Sequence, residues 1–127
     1  MKVFELNLSE QFTTTLFDPS PHRFRPDDTP ISERRLPLEY TCDNCGETIS
    51  FKTSSFEKHC NSDFSNLNSE DNDAFNEFIK TKKLEKLSFL DFYCPNCRQP
   101  TKFLFNCGPS GYSGGVSFEI KNALALK

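Results

Sequence analysis

Tryptophan is absent from the sequence, and valine, alanine and methionine are scarce. The chain of 127 residues has no Trp, one Met, two Val and three Ala, against 14 Phe. Its hydrophobic residues amount to 35%, which is low for a globular domain. The length suits a single domain, whose core must be small and mostly aromatic, because each buried ring removes about 150–250 Å² from water. A bound metal ion would help to stabilise so light a core.

The sequence also lacks an excess of positive charge and any long apolar run. It has 15 Lys and Arg against 18 Asp and Glu, a formal net charge of −3, so no overall positive field attracts phosphate backbones. No apolar run approaches the roughly 18 residues that span a bilayer. Residues 1–20 contain no cationic start followed by an apolar stretch. These absences predict a soluble, cytoplasmic protein without a membrane partner.

No catalytic constellation is visible in the sequence. The two histidines, His22 and His59, lie near no motif that would pair them with a nucleophile and an acid. The Gly-rich segment 108–115 lacks the spacing and the lysine of a phosphate-binding loop, and it precedes a predicted strand rather than a helix. We therefore expect a protein that is not an enzyme.

Two segments of the chain follow the same plan of strand, tight turn and strand. Residues 38–54 alternate polar and apolar side chains around Cys-Asp-Asn-Cys-Gly, and residues 86–107 do so around Cys-Pro-Asn-Cys. An opening strand or hairpin is predicted within 2–17, and a last strand from 116 onwards. The predicted fold class is mostly β (α+β), built from antiparallel hairpins. The single domain 1–127 then divides into N-terminal strands with a Pro- and Arg-rich loop (1–37), paired hairpins (38–107) with an insertion (55–86), and a Gly-rich loop with a C-terminal strand (108–127).

Proline concentrates in the segment 18–37, which holds five of the eight prolines. Because proline fixes its own φ and drives the preceding residue out of the helical region, this segment predicts an extended surface loop. It also carries four of the five arginines, Arg23, Arg25, Arg34 and Arg35. Acids interleave with these bases, so a salt-bridged or partner-facing loop is favoured, and a nucleic-acid patch stays open as the alternative.

The insertion between the two turns has a different composition. Residues 55–68 are rich in Ser and Asn and predict a loop, whereas residues 69–83 predict one short amphipathic helix capped by Ser69. Apolar side chains at helical spacing form its inner face, namely Phe75, Phe78 and Ile79. Its outer face is acidic, and solvation is the simplest interpretation of that acidity.

Four of the six cysteines form two Cys-x-x-Cys pairs, Cys42 with Cys45 and Cys94 with Cys97. Two residues between cysteines let a tight turn direct both sulfurs at one ion, and Zn²⁺ takes four such ligands in a tetrahedron. A closed set of this kind leaves no position for water or substrate, so one zinc ion would be structural. Redox chemistry is the alternative, although a thioredoxin-like pair would open a helix after a buried strand.

At these cysteines the sequence resembles the zinc-ribbon family. The resemblance covers about residues 38–54 and 86–107, and it implies two Cys-x-x-Cys turns at the tips of β-hairpins that share one structural zinc. The 48 residues between the pairs exceed the roughly 15–20 of the simple pattern. Closing the longer loop costs about 1 kcal/mol, which is little beside the about 10–16 kcal/mol of a structural zinc site.

The remaining cysteines, Cys60 and Cys107, lie outside these pairs. Together with His59 they could be imagined as part of a second metal site, but side chains at neighbouring positions usually point apart and no fourth ligand is evident. We interpret Cys60 and Cys107 as two small, partly buried thiols and His59 as a surface imidazole.

The closed metal site, the missing catalytic set and the acidic balance favour a non-enzymatic module that binds another protein. The window 63–77 holds five acids and no base, so a basic partner is expected. The candidate partner-binding residues are Glu70, Asp71, Asp73, Glu77 and Tyr112. A bacterial cytoplasmic inhibitor such as a toxin-immunity protein is one concrete form of this hypothesis, by analogy.

A nucleic-acid-binding zinc ribbon of a transcription or translation component is the alternative function. It would use the four arginines of the Pro-rich loop together with Phe24 and Arg98 as a local basic and aromatic surface. Its affinity would fall steeply with salt.

Overall fold

The computed structural model describes residues 2–12, 16–17, 38–51, 53–60, 62–109 and 116–127. Seven strands and three helices form within these residues. In chain order they are β1 (Val3–Glu5), α1 (Leu8–Gln11), β2 (Leu16–Phe17), β3 (Leu38–Thr41), β4 (Thr48–Phe51), α2 (Thr53–Lys58), α3 (Ser69–Thr81), β5 (Ser88–Tyr93), β6 (Pro100–Pro109) and β7 (Val116–Leu126). The fold is mostly β, as the sequence predicts.

The strands form two antiparallel sheets. The larger sheet has the order β1-β7-β6-β5, and β2 also pairs with β7 further along that strand. The smaller sheet is the β3–β4 hairpin, in which Leu38 lies opposite Phe51. Both strand-turn-strand segments and the opening strand are therefore confirmed. The last strand runs to Leu126, so the C-terminal residues continue β7.

A β-bulge in β7 decides which of its side chains face which side of the sheet. Leu104 pairs with Asn122 but Phe105 pairs with Ile120, so Lys121 is an extra residue. Strand side chains alternate with a period of two, and one extra residue reverses the alternation. Ala123 and Ala125 therefore share a face with Phe118 and Ile120, and Leu124 and Leu126 occupy the opposite face. Strict alternation would have placed these two pairs the other way round.

Aromatic side chains dominate the face of the large sheet that the small sheet covers. Phe103 on β6 is fully buried, and four rings have centroids within 4.9–5.4 Å of its own. These rings come from different elements and belong to Phe12, Tyr40, Phe51 and Phe92. The Phe-rich composition thus supplies the core that joins the two sheets, since tilted and edge-on ring pairs add to the area they bury.

The opposite face of the large sheet is covered by α3. Phe75 and Ile79 are buried there in one apolar cluster with Leu104 and Leu124, while Phe78 is half-buried against it. Because α3 covers one face and aromatic residues the other, residues 103–105 of β6 and 123–126 of β7 are buried on both sides. This explains why these two segments are continuous apolar runs.

The observed helix ends differ from those that the sequence predicts. Asn68 is the N-cap of α3, because its side-chain oxygen accepts a hydrogen bond from the Asp71 backbone N–H at 2.8 Å. Ser69, the predicted cap, is the first helical residue. The helix ends at Thr81 rather than at position 83, since Lys83 has a φ of 59° and turns the chain out of the helix.

Two short helices replace elements predicted otherwise. α1 interrupts the alternating N-terminal segment because the Asn7 side chain accepts hydrogen bonds from the backbone N–H groups of Ser9 and Glu10. α2 forms where residues 55–58 were expected in a loop, and its Phe56 is fully buried against Phe105 and Phe118. Burial of the Phe56 ring therefore stabilises α2, a helix that the local sequence pattern favours only weakly.

A disulfide bond joins Cys60, in the turn that follows α2, to Cys107 on β6. The interpretation of these residues as free thiols is wrong, because the fold brings two positions 47 residues apart into contact. Disulfides persist mainly in oxidising compartments. The bond therefore argues against a strongly reducing environment, and the cytoplasmic location remains a prediction.

Removing this disulfide is expected to destabilise the fold without removing a metal ligand. In the Cys60→Ala/Cys107→Ala variant, the free energy of unfolding should fall by about 2–4 kcal/mol, because the unfolded chain regains the freedom of a long loop. Urea denaturation followed by circular dichroism measures the change. An unchanged midpoint, or an intact mass of the unfolded wild-type protein that corresponds to six thiols rather than four, would contradict the assignment.

Among the described residues, no helix combines the length and apolar character that crossing a membrane requires.

Candidate metal centre

The two Cys-x-x-Cys turns lie at equivalent places in the two hairpins. Cys42 and Cys45 occupy the turn between β3 and β4, and Cys94 and Cys97 occupy the turn between β5 and β6. Both hairpins pack into the same aromatic cluster, which includes Cys42 and Cys94 among its buried members. The packing of the two sheets therefore sets the distance between the two turns.

The two turns share one backbone geometry. In the first, the Cys42 N–H donates to the Glu47 carbonyl at 2.8 Å and the Gly46 N–H donates to the Cys42 carbonyl at 2.9 Å. The second turn repeats both bonds at the same spacing, from Cys94 to Gln99 at 3.0 Å and from Arg98 to Cys94 at 2.8 Å. The repeated sequence plan thus corresponds to a repeated structure.

The residue after the second cysteine of each turn has a positive φ, 78° at Gly46 and 67° at Arg98. Glycine adopts this conformation without strain, whereas a residue with a Cβ atom is disfavoured there by about 1–2 kcal/mol. Arg98 lies over the ring of Tyr93, with its guanidinium carbon 5.1 Å from the ring centroid. This cation–π contact offsets part of the cost of the backbone conformation.

The four sulfur atoms form a compact group. All four Sγ atoms lie within 4.8 Å of one another, and Cys42–Cys97 and Cys45–Cys94 are each 3.7 Å apart. A tetrahedron with zinc–sulfur bonds of about 2.3 Å has edges of about 3.8 Å. The four cysteines predicted as ligands are therefore brought together at spacings that fit a tetrahedral metal ion. Four thiolates in this arrangement suit zinc or iron.

The site is buried on one side and partly open on the other. Cys42 and Cys94 are 2% and 0% exposed, and Cys45 and Cys97 are half-buried. Burial raises the pKa of the Cys42 thiol to about 12. Burial thus opposes the loss of the thiol proton that metal binding requires. The charge of a bound cation and nearby hydrogen-bond donors must compensate for this effect of burial.

Hydrogen-bond donors act in the opposite direction at the two outer cysteines. The side-chain amide of Asn96, followed by the backbone N–H of Glu47, lowers the pKa of Cys45 to about 6. At Cys97, burial raises the pKa, but the Asn44 side chain and the Gln99 backbone N–H outweigh it, and the pKa is lowered. Each asparagine lies in one turn and lowers the pKa of a cysteine in the other. The amides therefore favour thiolates at both outer positions.

The arrangement is closed with respect to chemistry at the metal. Four protein ligands complete a tetrahedral zinc site and leave no coordination position for a water molecule or a substrate. Within the part of the chain that the structure describes, these cysteines are the group of side chains that could hold an ion. The second site imagined with His59 is not formed, because Cys60 and Cys107 are bonded to each other.

The predicted partner-binding residues do not all lie on one surface. Glu70, Asp73 and Glu77 are exposed along the outer side of α3. Asp71 is only 7% exposed and accepts a hydrogen bond from the Tyr93 hydroxyl at 2.8 Å. Asp71 therefore belongs to the contact between α3 and the sheet, not to an outer surface. Tyr112 lies outside the described residues, as do Arg23, Phe24, Arg25, Arg34 and Arg35.

A buried polar network attaches the insertion to the sheet, and sequence reasoning missed it. Asp91 and Lys102 lie opposite each other on β5 and β6, both 0% exposed, with Nζ and Oδ2 3.6 Å apart. Lys102 donates to the Asn72 side chain at 2.8 Å. Asp91 accepts hydrogen bonds from the Ser65 hydroxyl and from the Asn66 backbone N–H. The contacts with Ser65, Asn66 and Asn72 join residues 25–30 positions apart in the sequence.

A cleft of about 750 Å³ opens beside the C-terminal half of α3. Its apolar lining consists of Ile79, Leu84, Leu87, Phe89 and Leu104. Polar and charged side chains of both signs surround this lining, among them Asp63, Lys80 and Lys86. Residues 84–87, which connect α3 to β5, form one part of the lining of the cleft.

Comparison with family models, with curated proteins and with solved structures finds no match to this chain. The fold and the site therefore define its class by themselves. It is a mostly β protein in which two hairpins bring four cysteines together in a zinc-ribbon-like arrangement.

Proposed function

We propose that the protein is a non-enzymatic binding module, stabilised by one structural zinc ion, that engages another protein. The observation that carries this proposal is the closed cluster of four cysteines, whose Sγ atoms all lie within 4.8 Å of one another. An ion held there would tie the two hairpins together and would have no free position for a substrate. Its role would be to hold the scaffold, so the function must lie on the protein surface.

The partner surface we propose consists of the acidic face of α3 (Glu70, Asp73 and Glu77) and the adjacent cleft. The acidic face is exposed, and the cleft has an apolar lining large enough for side chains of another protein. Protein interfaces commonly combine an apolar centre with a polar rim. Acidic residues beside an apolar cleft complement a partner segment that carries both basic and apolar side chains.

An inhibitor of a basic protein is the particular form that we favour. Toxins that act on nucleic acids or nucleotides often present basic surfaces, and an acidic module suits them as an immunity protein. Composition supports this form, with a net charge of −3 and five acids in the window 63–77. The fold gives no preference between this partner and other basic proteins.

Reversing two charges on the acidic face should abolish partner binding without changing the fold. Asp73 and Glu77 are exposed, so the Asp73→Lys/Glu77→Lys variant should unfold at the wild-type urea midpoint within about 0.5 kcal/mol. Affinity capture from the organism's own lysate at near-physiological salt, read by quantitative mass spectrometry, should recover a basic protein with the wild-type bait and lose it with the variant.

The matched control is Glu5→Lys/Glu10→Lys, which changes the net charge equally at two exposed positions on other elements. It should retain the partner. If both variants lose the partner, the attraction is general and the proposed surface is wrong. If the wild-type protein recovers no protein but binds nucleic-acid probes at about 50 mM salt in fluorescence anisotropy, the nucleic-acid-binding alternative replaces the proposal.

A further inference from the structure

Gln99 is a buried side chain with an unusual hydrogen-bond arrangement beside the metal centre. It is 5% exposed, and its Oε1 atom lies 3.6 Å from the Sγ atom of Cys42. Its Nε2 atom is also buried and has no hydrogen-bond partner. A buried amide donor without a partner is costly, and in native proteins it usually has an explanation.

Metal binding supplies that explanation. A thiol can donate its proton to Oε1, but the thiolate that ligates a metal is only an acceptor. Two acceptors would then face each other at 3.6 Å. Rotation of the amide by half a turn exchanges its oxygen and nitrogen at almost the same positions. The Nε2–H group then donates to the Cys42 thiolate, and the buried donor gains its partner.

Gln99 would act across the two turns of the site. It follows the second turn and reaches the buried Cys42 of the first. Cys42 would thus receive a side-chain amide donor, and this donor would link the two turns. A site of four thiolates and one divalent ion carries a net charge of about −2, which such donors stabilise.

We propose that Gln99 is a positioning residue that donates a hydrogen bond to the Cys42 thiolate of the zinc site and thereby slows loss of the ion. This inference rests on the proposed structural zinc and adds a residue that retains it. Hydrogen bonds reduce the electron density on the sulfur atoms, so the thiolates are attacked less readily by protons and by competing reagents.

The test measures zinc retention and the electronic state of the ligands separately. Gln99→Leu and Gln99→Met, neither of which can donate a hydrogen bond, should each transfer zinc to a chromogenic chelator at least about 10-fold faster than the wild-type protein. In the cobalt-substituted proteins, the sulfur-to-cobalt charge-transfer band should shift to lower energy, because a sulfur without a donor is more easily oxidised. A purely structural role of the Gln99 side chain would not move this band.

The control is Asn106→Leu, an amide replaced at an exposed position near the other end of β6. It should leave both readouts unchanged. Methionine is close to glutamine in length and volume, so Gln99→Met keeps the test valid if Gln99→Leu does not fold. If the wild-type protein holds one zinc ion and both variants match it in rate and band position, Gln99 has no such role. If the wild-type protein holds no metal, the proposed zinc scaffold fails, and this inference fails with it.

Discussion

Replacing Cys94 by serine should abolish metal binding and unfold the protein. Cys94 is fully buried in the cluster that joins the two hairpins, and a serine hydroxyl is a poor replacement for a zinc thiolate. An apparent structural zinc site contributes about 10–16 kcal/mol, whereas small domains are stable by about 5–15 kcal/mol in total. Loss of one ligand therefore removes an energy comparable with the whole stability.

Native mass spectrometry beside circular dichroism tests this prediction. The wild-type protein, purified without added metal, should carry one zinc ion that is lost on unfolding, and Cys94→Ser should carry none and lack a cooperative transition. The Cys60→Ala/Cys107→Ala variant is the control, since it removes two cysteines outside the cluster. It should keep its zinc. A folded, metal-free wild-type protein would instead favour redox chemistry at the Cys-x-x-Cys pairs.

Replacing Asp91 by alanine should destabilise the fold by about 3–5 kcal/mol, because it leaves a buried lysine without its counter-charge. Lys102 is 0% exposed, and Asp91 is the carboxylate that approaches its Nζ atom. The substitution also leaves the Ser65 hydroxyl and the Asn66 backbone N–H without their acceptor. The loss of this acceptor detaches the segment before α3 from the sheet.

The pH dependence of this variant has a definite sign. Burial lowers the pKa of Lys102, and the Asp91 carboxylate opposes that lowering. Without Asp91 the folded-state pKa falls further below its unfolded value of about 10.4. The unfolded chain then binds more protons between the two pKa values, so stability rises with pH in that range. The deficit of Asp91→Ala should be full at lower pH and shrink as the pH approaches about 10.

The Asp91→Leu/Lys102→Met variant separates charge from packing. It removes both charges and fills similar volume with apolar groups, so it should recover much of the stability that Asp91→Ala loses. Urea denaturation of the wild-type protein, Asp91→Ala and Asp91→Leu/Lys102→Met at pH 7 and pH 10 measures these differences in stability. If Asp91→Ala costs less than about 1 kcal/mol and shows no dependence on pH, Lys102 does not depend on Asp91 for its burial.

The repeated turns were predictable because their information is local. Two residues between Cys42 and Cys45, and Gly46 at the position of positive φ, define a turn within a few residues of chain. The second turn repeats that spacing and hydrogen-bond pattern with Arg98 in place of glycine. The strands on each side follow from their alternation, and the shared metal site follows because four cysteines suit one ion.

The helix boundaries and the faces of β7 were less predictable because they depend on a single residue each. Asn68 and Ser69 are both good caps, and only the backbone conformation at Asn68 decides between them. The bulge at Lys121 reverses the alternation of β7, so Leu124 and Leu126 face α3. Sequence alternation alone assigns them to the aromatic face.

The sequence by itself determined the two hairpins, the last strand and the four cysteines that lie together, because these follow from spacings within short segments. Only the tertiary structure decided that Cys60 pairs with Cys107, that Asp71 is buried against Tyr93, and that Asp91 opposes Lys102 under α3. Each of these contacts joins residues more than ten positions apart in the sequence. Their formation depends on how the sheets and α3 pack, and packing depends on the whole set of buried side chains rather than on any local pattern.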